Sequence, residues 1–480
     1  MKCLNDLMSP LRRTTPLPSP LMPQPSAYSF RRILCPVLLA ALFLLTGCAT
    51  AARSAQSHAR KYQSVQQYTL PNGLTLSVQQ DQSIPLVTMD MWVRVGSGDE
   101  TPEVAGISHF LEHMLFKGTE RLPVGQYDRN VEEAGGYLNA ATSMDYTHYY
   151  VTVPSEHFAR ILTDFADVMT NSSIDPQEVE SERNVILEEI SRKLDSPFGY
   201  LFDETMPRLF ESGPYTHTVI GTRETVSAIT RDQLHDHYRR FYVPENMFLS
   251  IVGDVEPSEV RDQVEAAFRA QTGKLRPYRD EAPAARFARA EDRFLPNSWK
   301  EAYFILAFPG PKGNSLQGMA VSEYAETLLA GGRASRLVNS LQEKQGLVSS
   351  ISAWFPTNRH EAPLMIYGTC EPGKIEDVRA AIITELIKLK EEGTRDTEMR
   401  RVRRQVLNNH LYSLETNAGR ASTLGYSQTM LGNPSLLTGF AEALRGVSEK
   451  ELMAYLRKHL REDQASFHVT TNAAALATRP

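Results

Sequence analysis

Cysteine is scarce in this 480-residue chain, and its scarcity excludes several kinds of site. The four cysteines, Cys3, Cys35, Cys48 and Cys370, are far apart and form no Cys-x-x-Cys pair. A thiolate metal site and a disulfide framework are therefore both excluded. Histidine and carboxylate side chains are left as the expected ligands of any metal.

The chain also lacks a strongly basic region and an apolar run long enough to span a bilayer comfortably. Its formal net charge is -6, and 41% of its residues are hydrophobic, as in ordinary globular proteins. No basic stripe is interleaved with aromatic residues, so we expect no nucleic-acid partner. The apolar run 33–45 is shorter than a transmembrane helix requires.

The N-terminal region instead resembles a secretory signal. Arg31 and Arg32 precede the apolar run, and the stretch 45–48, Leu-Thr-Gly-Cys, is similar to a bacterial lipobox. We therefore predict a lipoprotein signal peptide over 1–47 and lipidation of Cys48. A tether over 48–66 would then connect the protein to the outer membrane on its periplasmic side. The alternatives are a plain signal peptide or an uncleaved anchor.

The length and the order of elements predict two domains. A chain of this length exceeds one hydrophobic core, and the order strand, helix, strands, two helices, strand recurs in both halves. We predict an α+β fold of two homologous domains, each a mixed or antiparallel sheet covered by helices, facing one another across a cleft. The predicted limits are 67–272 for the first domain, 273–296 for a linker and 297–476 for the second domain.

Hydrophobic periodicity and turn residues place the individual elements. A hairpin or an edge region is predicted over 137–153. Strands are predicted over 86–95, 247–252, 302–308, 348–355 and 364–370. Helices are predicted over 106–117, 155–170, 176–194, 257–271, 318–329, 375–392 and 396–415.

The segment His-Phe-Leu-Glu-His at 109–113 carries the strongest chemical signal. On a helix, each residue advances about 100°, so His109 and His113 share one face with Glu112 beside them. The helix is apolar nearly all round, which is typical of a buried helix. Burying these polar groups is costly unless a cation pairs with them, and zinc accepts histidine, carboxylate and water. The motif alone is also compatible with a chance or purely structural match.

A second helix supplies a candidate third ligand. Glu182 and Glu189 are seven residues apart and fall within about 20° of each other on an apolar helix face. We predict one Zn²⁺ per chain, bound by His109, His113 and Glu189. Glu182 is predicted to act in catalysis by orienting a ligand or the water. The alternative for Glu182 is an ion pair on the helix surface.

These residues resemble those of the M16 (pitrilysin/insulinase) metallopeptidase family over most of residues 65–475. The family pattern is His-x-x-Glu-His followed by a glutamate 76 residues after the second histidine, which is the interval from His113 to Glu189. Further matching segments lie at 135–140, 215–221, 244–247, 253–254 and 329–337.

The resemblance implies a mechanism and a substrate. Glu112 would take a proton from the attacking water and pass it to the leaving amine. The segment Asn139, Ala140, Ala141 and Thr142 is similar to the family's substrate-binding edge strand, to which an extended peptide adds as a further strand. The alternative for Asn139 is a turn residue near Gly136. The expected function is a metalloendopeptidase acting on unfolded peptides or oligopeptides.

One departure from the family pattern predicts a partner subunit. Self-sufficient members have an arginine and a tyrosine seven residues apart where this chain has Gln342 and Ser349. In the two-subunit branch of the family, a zinc-less partner supplies that pair to the zinc-binding chain. We therefore expect a catalytic subunit of a heterodimer. The alternative function is a zinc-bearing scaffold or chaperone-like subunit without proteolytic activity.

Overall fold

The computed structural model describes residues 64–278, 284–434 and 436–474. The predicted signal peptide, Cys48 and most of the predicted tether lie outside these residues. The described residues belong to one compact unit. None of the helices described combines the length and the apolar character that crossing a bilayer requires.

Two larger sheets, a third sheet of two short strands, and the helices around them make up the described residues. The strands are β1 (Gln66–Thr69), β2 (Thr75–Gln80), β3 (Leu86–Val93), β4 (Tyr137–Thr142), β5 (Thr147–Pro154), β6 (Phe210–Ser212), β7 (Met247–Gly253), β8 (Arg286–Phe287), β9 (Asp292–Asn297), β10 (Ala302–Pro309), β11 (Val348–Trp354), β12 (Pro363–Cys370) and β13 (Ser466–Asn472). The helices are α1 (Ile107–Leu115), α2 (Gln126–Glu133), α3 (Phe158–Thr170), α4 (Pro176–Leu194), α5 (Pro197–Thr205), α6 (Arg223–Ala228), α7 (Arg231–Phe241), α8 (Pro257–Phe268), α9 (Leu316–Ala330), α10 (Ile375–Glu392), α11 (Asp396–Ser413), α12 (Asn417–Leu431), α13 (Leu436–Gly446) and α14 (Glu449–His459).

The first sheet has the strand order β1-β2-β7-β3-β5-β4. Among these described strands only the β2–β7 pair is parallel, so the sheet is mixed. Alternation along β3 separates its two faces: Met89 and Met91 join the core under α1, whereas Trp92 packs with residues of β7 and α12. Strand β4 is an edge of this sheet, and within the described ranges it pairs on one side alone, with β5.

The second sheet has the order β11-β12-β10-β13-β9 and is also mixed, because β13 and β9 are parallel. Its core side includes Phe304 and Leu306 of β10. The alternate residues Ile305 and Ala307 face a cluster that contains Leu201 of α5. The expected α+β fold with a mixed sheet in each half is confirmed.

Each half of the chain places a helix on the sheet of the other half. Helix α5 lies in the first half of the sequence but packs on β10 and β13 of the second sheet. Helix α12 lies in the second half of the sequence but packs on β3 and β7 of the first sheet. The buried guanidinium of Arg420 on α12 lies 2.6 Å from the carboxylate of Asp81. Arg359 pairs with Asp99 at 2.6 Å and with Asp145 at 3.2 Å. The two halves are therefore joined by apolar contacts and also by ion pairs, of which the pair Arg420–Asp81 is buried.

Most predicted elements match the observed ones to within a few residues. Helix α4 has the predicted limits, and the hairpin over 137–153 is β4 and β5. Several elements were not predicted from the sequence, including α2, α5, α12, β9 and β13. The range predicted as a linker, 273–296, contains β8 and most of β9. The predicted domain limits stay a prediction.

Candidate metal centre

Helix α1 begins at a fixed point because glycine and a buried carboxylate define its first turn. Gly106 precedes the helix with φ +95°, a conformation that favours glycine. The two carboxylate oxygens of Glu100 accept hydrogen bonds from the backbone N–H groups of Gly106 and Ser108, both at 2.8 Å. A negative charge at this end also suits the helix dipole. The helix is thereby held at the turn that carries His109.

Helix α4 is positioned in a comparable way. Its N-cap, Asp175, accepts hydrogen bonds from the N–H groups of Gln177 and Glu178, and Pro176 occupies the first helical position. Val179, Ile186 and Ile190 are buried on the side that packs against the first core. The same packing brings the face of Glu182 and Glu189 toward α1.

The two helices bring the predicted ligands together. The Nε2 atoms of His109 and His113 each lie 3.8 Å from the same oxygen, Oε2 of Glu189. One ligand atom from each of the three residues can be chosen so that all lie within 4.8 Å of one another. These side chains are 13%, 21% and 18% exposed, so the group is sheltered but open to solvent.

The donor set fits a zinc ion. Distances of 3.8 Å are too long for hydrogen bonds but near the spacing of roughly 3.3 Å between two ligands on a tetrahedral zinc ion. Two imidazoles and one carboxylate, with a further position for water, are the ligands of many catalytic zinc sites. The Nδ1 atom of His109 is buried and has no hydrogen-bond partner among the described residues. Because the Nε2 atoms of both histidines lie toward Glu189, we expect these atoms to face the ion.

The surroundings of the two histidines shift their pKa values in opposite directions. Burial, together with the nearby charge of His113, holds the pKa of His109 well below its usual range. Burial also acts to lower the pKa of His113, but the hydrogen bond to Glu182 and the charges of Glu112 and Glu189 outweigh it, so that pKa is raised. A neutral His109 already has a lone pair to offer a metal. His113 must first lose a ring proton before it can offer one.

Glu112 extends from α1 to the edge strand β4. Burial raises the pKa of its carboxyl, opposed by the hydroxyl of Thr142, which donates a hydrogen bond to Oε2 at 2.6 Å. Thr147 in turn lies 3.4 Å from the Thr142 hydroxyl. A carboxylate with a raised pKa is better matched to both taking and giving a proton near neutral pH.

Glu182 is bound on both of its oxygens and lies beside the ligand group. Its Oε2 is 3.0 Å from Nδ1 of His113, and its Oε1 is 2.7 Å from the ammonium nitrogen of Lys117. Burial acts to raise its pKa, but these two partners lower it overall. Glu182 therefore contacts both a histidine of the ligand group and a lysine, and its catalytic role stays a prediction.

The remaining predicted site residues lie in β4. Asn139, Ala140, Ala141 and Thr142 are all partly exposed along this edge strand. Asn139 donates a hydrogen bond to the hydroxyl of Tyr150 at 3.3 Å. Side chains alternate between the two faces of a strand, so Ala140 and Thr142 lie on one face and Asn139 and Ala141 on the other. Because Thr142 contacts Glu112, the first pair is on the face toward α1. A substrate-binding role for these residues stays a prediction.

The positions that depart from the family pattern are close together in space. Gln342 lies in the π-helical segment Val338–Lys344, and its side-chain N–H donates to the carbonyl of Ser349 at 2.9 Å. The hydroxyl of Ser349 donates to the carbonyl of Thr369 at 3.1 Å. The side chains of Gln342 and Ser349 thus form hydrogen bonds with residues of the second half of the chain.

Sequence reasoning did not identify Lys117 or the contact of Thr142 with Glu112. Lys117 is the last residue of the helix predicted over 106–117, a place where a lysine is ordinarily solvated. A lysine four residues after His113 was nevertheless a usable signal, because residues at this spacing lie on one helix face.

Comparisons with known families and proteins agree with this geometry. The description "Insulinase (Peptidase family M16)" matches residues 76–223, and "Peptidase M16 inactive domain" matches residues 228–406. A Streptomyces coelicolor protein named "uncharacterized zinc protease" is 30% identical over 400 residues, covering 82% of this chain and 87% of its own. The similarly named Bacillus subtilis protein YmxG is 28% identical and covers 84% and 97%.

Solved structures share the fold. A protease from Helicobacter pylori superposes with a TM-score of 0.79 at 22% identity, covering 85% of this chain and 99% of its own. A putative M16-like peptidase from Alicyclobacillus acidocaldarius gives a TM-score of 0.77 at 22% identity, with coverage of 85% and 98%. At these identities, the likeness concerns the fold.

Proposed function

Because the chain belongs to peptidase family M16, we propose that it is a zinc-dependent metalloendopeptidase that cleaves unfolded peptides. The observation that carries the proposal is the convergence of His109, His113 and Glu189 from two helices onto one small volume. Glu112, one turn from His109 on the same helix, supplies the carboxylate that such hydrolysis requires.

The residues of the site have distinct tasks. His109, His113 and Glu189 would hold the ion, and Glu182 would keep the ring of His113 in place. When bound, zinc polarises a carbonyl and lowers the pKa of its water toward ~7. Glu112 takes a proton from the attacking water on a carboxylate oxygen and later gives it to the leaving amine. Thr142 holds that carboxylate through its hydrogen bond at 2.6 Å.

Strand β4 supports the choice of substrate. It is an edge strand of the first sheet, and its residues lie beside Glu112. An extended peptide that adds to such an edge gains backbone hydrogen bonds with little dependence on its sequence. Folded proteins cannot offer a free strand readily, so unfolded peptides and oligopeptides are the favoured substrates.

Cleavage of an unstructured peptide with and without Glu112 tests the mechanism. We expect Glu112→Gln to reduce kcat by about 10²- to 10⁴-fold, which is the usual contribution of general acid–base catalysis. Zinc should remain bound. His109→Ala should lose both zinc and activity. Cleavage that persists in metal-loaded Glu112→Gln at the wild-type rate would overturn the mechanism.

We further propose that the active enzyme is a heterodimer whose partner supplies an arginine and a tyrosine. Support comes from Gln342 and Ser349, which occupy the corresponding positions and are hydrogen-bonded within this chain. The test compares cleavage by this chain alone with cleavage after addition of an M16-like partner that carries the pair. Zinc binding without cleavage in either case favours the alternative of a scaffold or chaperone-like subunit.

We also propose that Cys48 is lipidated and anchors the protein to the outer membrane from the periplasm. The support is the lipobox-like stretch 45–48 that follows a basic and apolar leader. Cys48→Ser should abolish incorporation of labelled palmitate in cells and release the protein from membranes. Labelling that persists in this variant contradicts the proposal.

A further inference from the structure

We propose that Lys117 is a positioning residue of the metal centre, acting through Glu182 to fix the ring of His113. The inference rests on the proposed function, because it concerns the same metal site. Neither the sequence motif nor the family pattern assigns a role to this lysine. Its contacts place it at the end of a short chain of polar groups that leads to the site.

The contacts form an unbroken series. The ammonium nitrogen of Lys117 lies 2.7 Å from Oε1 of Glu182, and the other oxygen of that carboxylate lies 3.0 Å from Nδ1 of His113. The remaining ring nitrogen, Nε2, faces Glu189 at 3.8 Å. For Nε2 to offer its lone pair to a metal, Nδ1 must carry the ring proton and donate a hydrogen bond to Glu182. Lys117 therefore stabilises the acceptor that selects this tautomer.

The backbone around Lys117 restricts where its side chain can be. Lys117 donates its N–H to the carbonyl of Met114 at 3.0 Å, in the turn that ends α1. The next residue, Gly118, has φ +96°, and its carbonyl accepts hydrogen bonds from the backbone and side chain of Ser173, just before α4. The turn is thus fixed to both helices of the metal site. The ion pair between Lys117 and Glu182 links this turn to α4 a second time, through side chains.

Charge gives the lysine a second effect at the same place. Three carboxylates, Glu112, Glu182 and Glu189, surround the two histidines, and Glu182 is only 8% exposed. A buried carboxylate without a cation is costly and will turn toward solvent if it can. Lys193, whose charge acts on His109, is paired with Asp203. Lys117 is therefore the cation that keeps Glu182 turned inward, against His113.

The test measures zinc affinity by chelator competition in the full-length protein. Lys117→Met should weaken zinc binding by about 10- to 100-fold, the usual effect of losing a partner of a metal ligand. Lys117→Arg should restore most of the affinity, because it keeps the charge and a donor. The visible spectrum of the Co²⁺-substituted protein should change in Lys117→Met and remain near wild type in Lys117→Arg. Both readouts are independent of peptide cleavage.

Two further variants separate positioning from a general loss of structure. Lys274→Met removes a lysine whose side chain is 84% exposed and should leave zinc affinity unchanged. Glu182→Gln should weaken zinc binding as Lys117→Met does, and the double variant should lose little more, because the two residues act in one series. Thermal melting of the metal-free variants reports whether each is folded.

The outcomes are distinguishable. Wild-type zinc affinity and an unchanged Co²⁺ spectrum in folded Lys117→Met would overturn this inference and leave the proposed function intact. Equal losses in Lys117→Met and Lys117→Arg would overturn it as well, because the charge would then not matter. A wild-type chain that binds no zinc would overturn the proposed function together with this inference.

Discussion

At the residue scale, a single hydroxyl influences the group that would act as the general base. Burial raises the pKa of Glu112, and the hydrogen bond from Thr142 acts in the opposite direction. The strength of this base therefore depends on a residue of the strand that we propose binds substrate. Under the proposed function, substrate binding and proton transfer would therefore share one structural element.

Replacing Thr142 with valine should shift the pH profile of cleavage. Without the hydroxyl the pKa of Glu112 rises further, and the carboxylate must be ionised to accept a proton. The acidic limb of the profile of kcat/KM should move to higher pH. Activity at mildly acidic pH should fall about 10-fold, as for loss of a hydrogen bond to a charged group worth ~1.5 kcal/mol. Thr142→Ser is the control, and an unshifted acidic limb in Thr142→Val would contradict this account.

The limits of sequence reasoning at this scale have a physical cause. His109, Glu112 and His113 could be identified because helical periodicity fixes their relative directions within one turn. Glu182 and Glu189 could be paired with each other for the same reason. The partners Thr142 and Lys117 depend on how a strand and a turn pack against these helices, and no local period encodes that packing.

At the scale of elements, the start of α1 determines where the ligands lie. Gly106 has φ +95°, and a Cβ atom there would approach the carbonyl oxygen of Ile220 to 2.6 Å. Side chains are disfavoured both by the backbone conformation and by this contact. The segment 215–221, which matches the family pattern, packs against this turn through Ile220 and Gly221.

Gly106→Ala should destabilise the protein by about 3 kcal/mol, combining a left-handed residue at ~1–2 kcal/mol with the steric contact. Gly135→Ala is the matched control, because Gly135 has φ +74° but a Cβ atom there would meet no described atom within 4 Å. Gly135→Ala should lose only the stability that the left-handed backbone conformation costs, ~1–2 kcal/mol. Chemical denaturation measures both. Equal losses in the two variants would show that the contact with Ile220 does not matter.

The packing of α7 on α1 predicts a dependence of stability on pH. His237 is fully buried, its ring nitrogens lie 3.2 Å from the Ser108 hydroxyl and 3.0 Å from the Tyr278 hydroxyl, and burial lowers its pKa to about 4. Below pH ~6.5 the unfolded state binds a proton that the native state does not. The free energy of unfolding should therefore fall as the pH drops from ~6.5 to ~4, by up to about 3 kcal/mol.

Metal-free His237→Gln should lose this pH-dependent part of the stability. Urea titrations of metal-free wild type and variant at several pH values measure it, because removing the metal eliminates the effect of zinc release. Identical slopes of stability against pH in the two proteins would contradict the assignment to His237.

The elements themselves were predictable to different degrees. Helix α4 was found with its observed limits because it has a proline at its first position, an aspartate cap and a clear apolar face. Helix α12 was missed because it contains glycine and many small or polar residues, and its burial comes from the sheet of the other half. Strands β9 and β13 were missed because their partners are distant in the sequence.

At the scale of the whole molecule, a buried ion pair joins the two halves. The side chains of Arg420 and Asp81 are 2% and 6% exposed, and their charged atoms are 2.6 Å apart. The Arg420 guanidinium also donates to the side chain of Asn417 and the carbonyl of Leu414. Such a network fixes α12 on the first sheet.

Arg420→Met should destabilise the protein by about 3–5 kcal/mol, because it leaves the Asp81 carboxylate buried without a cation. Adding Asp81→Asn should recover part of the loss. Arg261→Met, which breaks the exposed pair with Asp262, is the control and should change stability by less than ~1 kcal/mol. A loss of this small size in Arg420→Met would contradict a structural role for the buried pair.

The exchange of helices α5 and α12 between the two sheets has a practical consequence for anyone who divides the chain. A fragment ending near residue 272 would carry α5 with no surface to cover and would leave Trp92 and Phe248 uncovered by α12. The complementary fragment would expose Ile305 and Met365. Because both pieces would lose these apolar contacts, we expect gene truncation to be a poor way to isolate the candidate metal centre and point substitutions to be the appropriate tool.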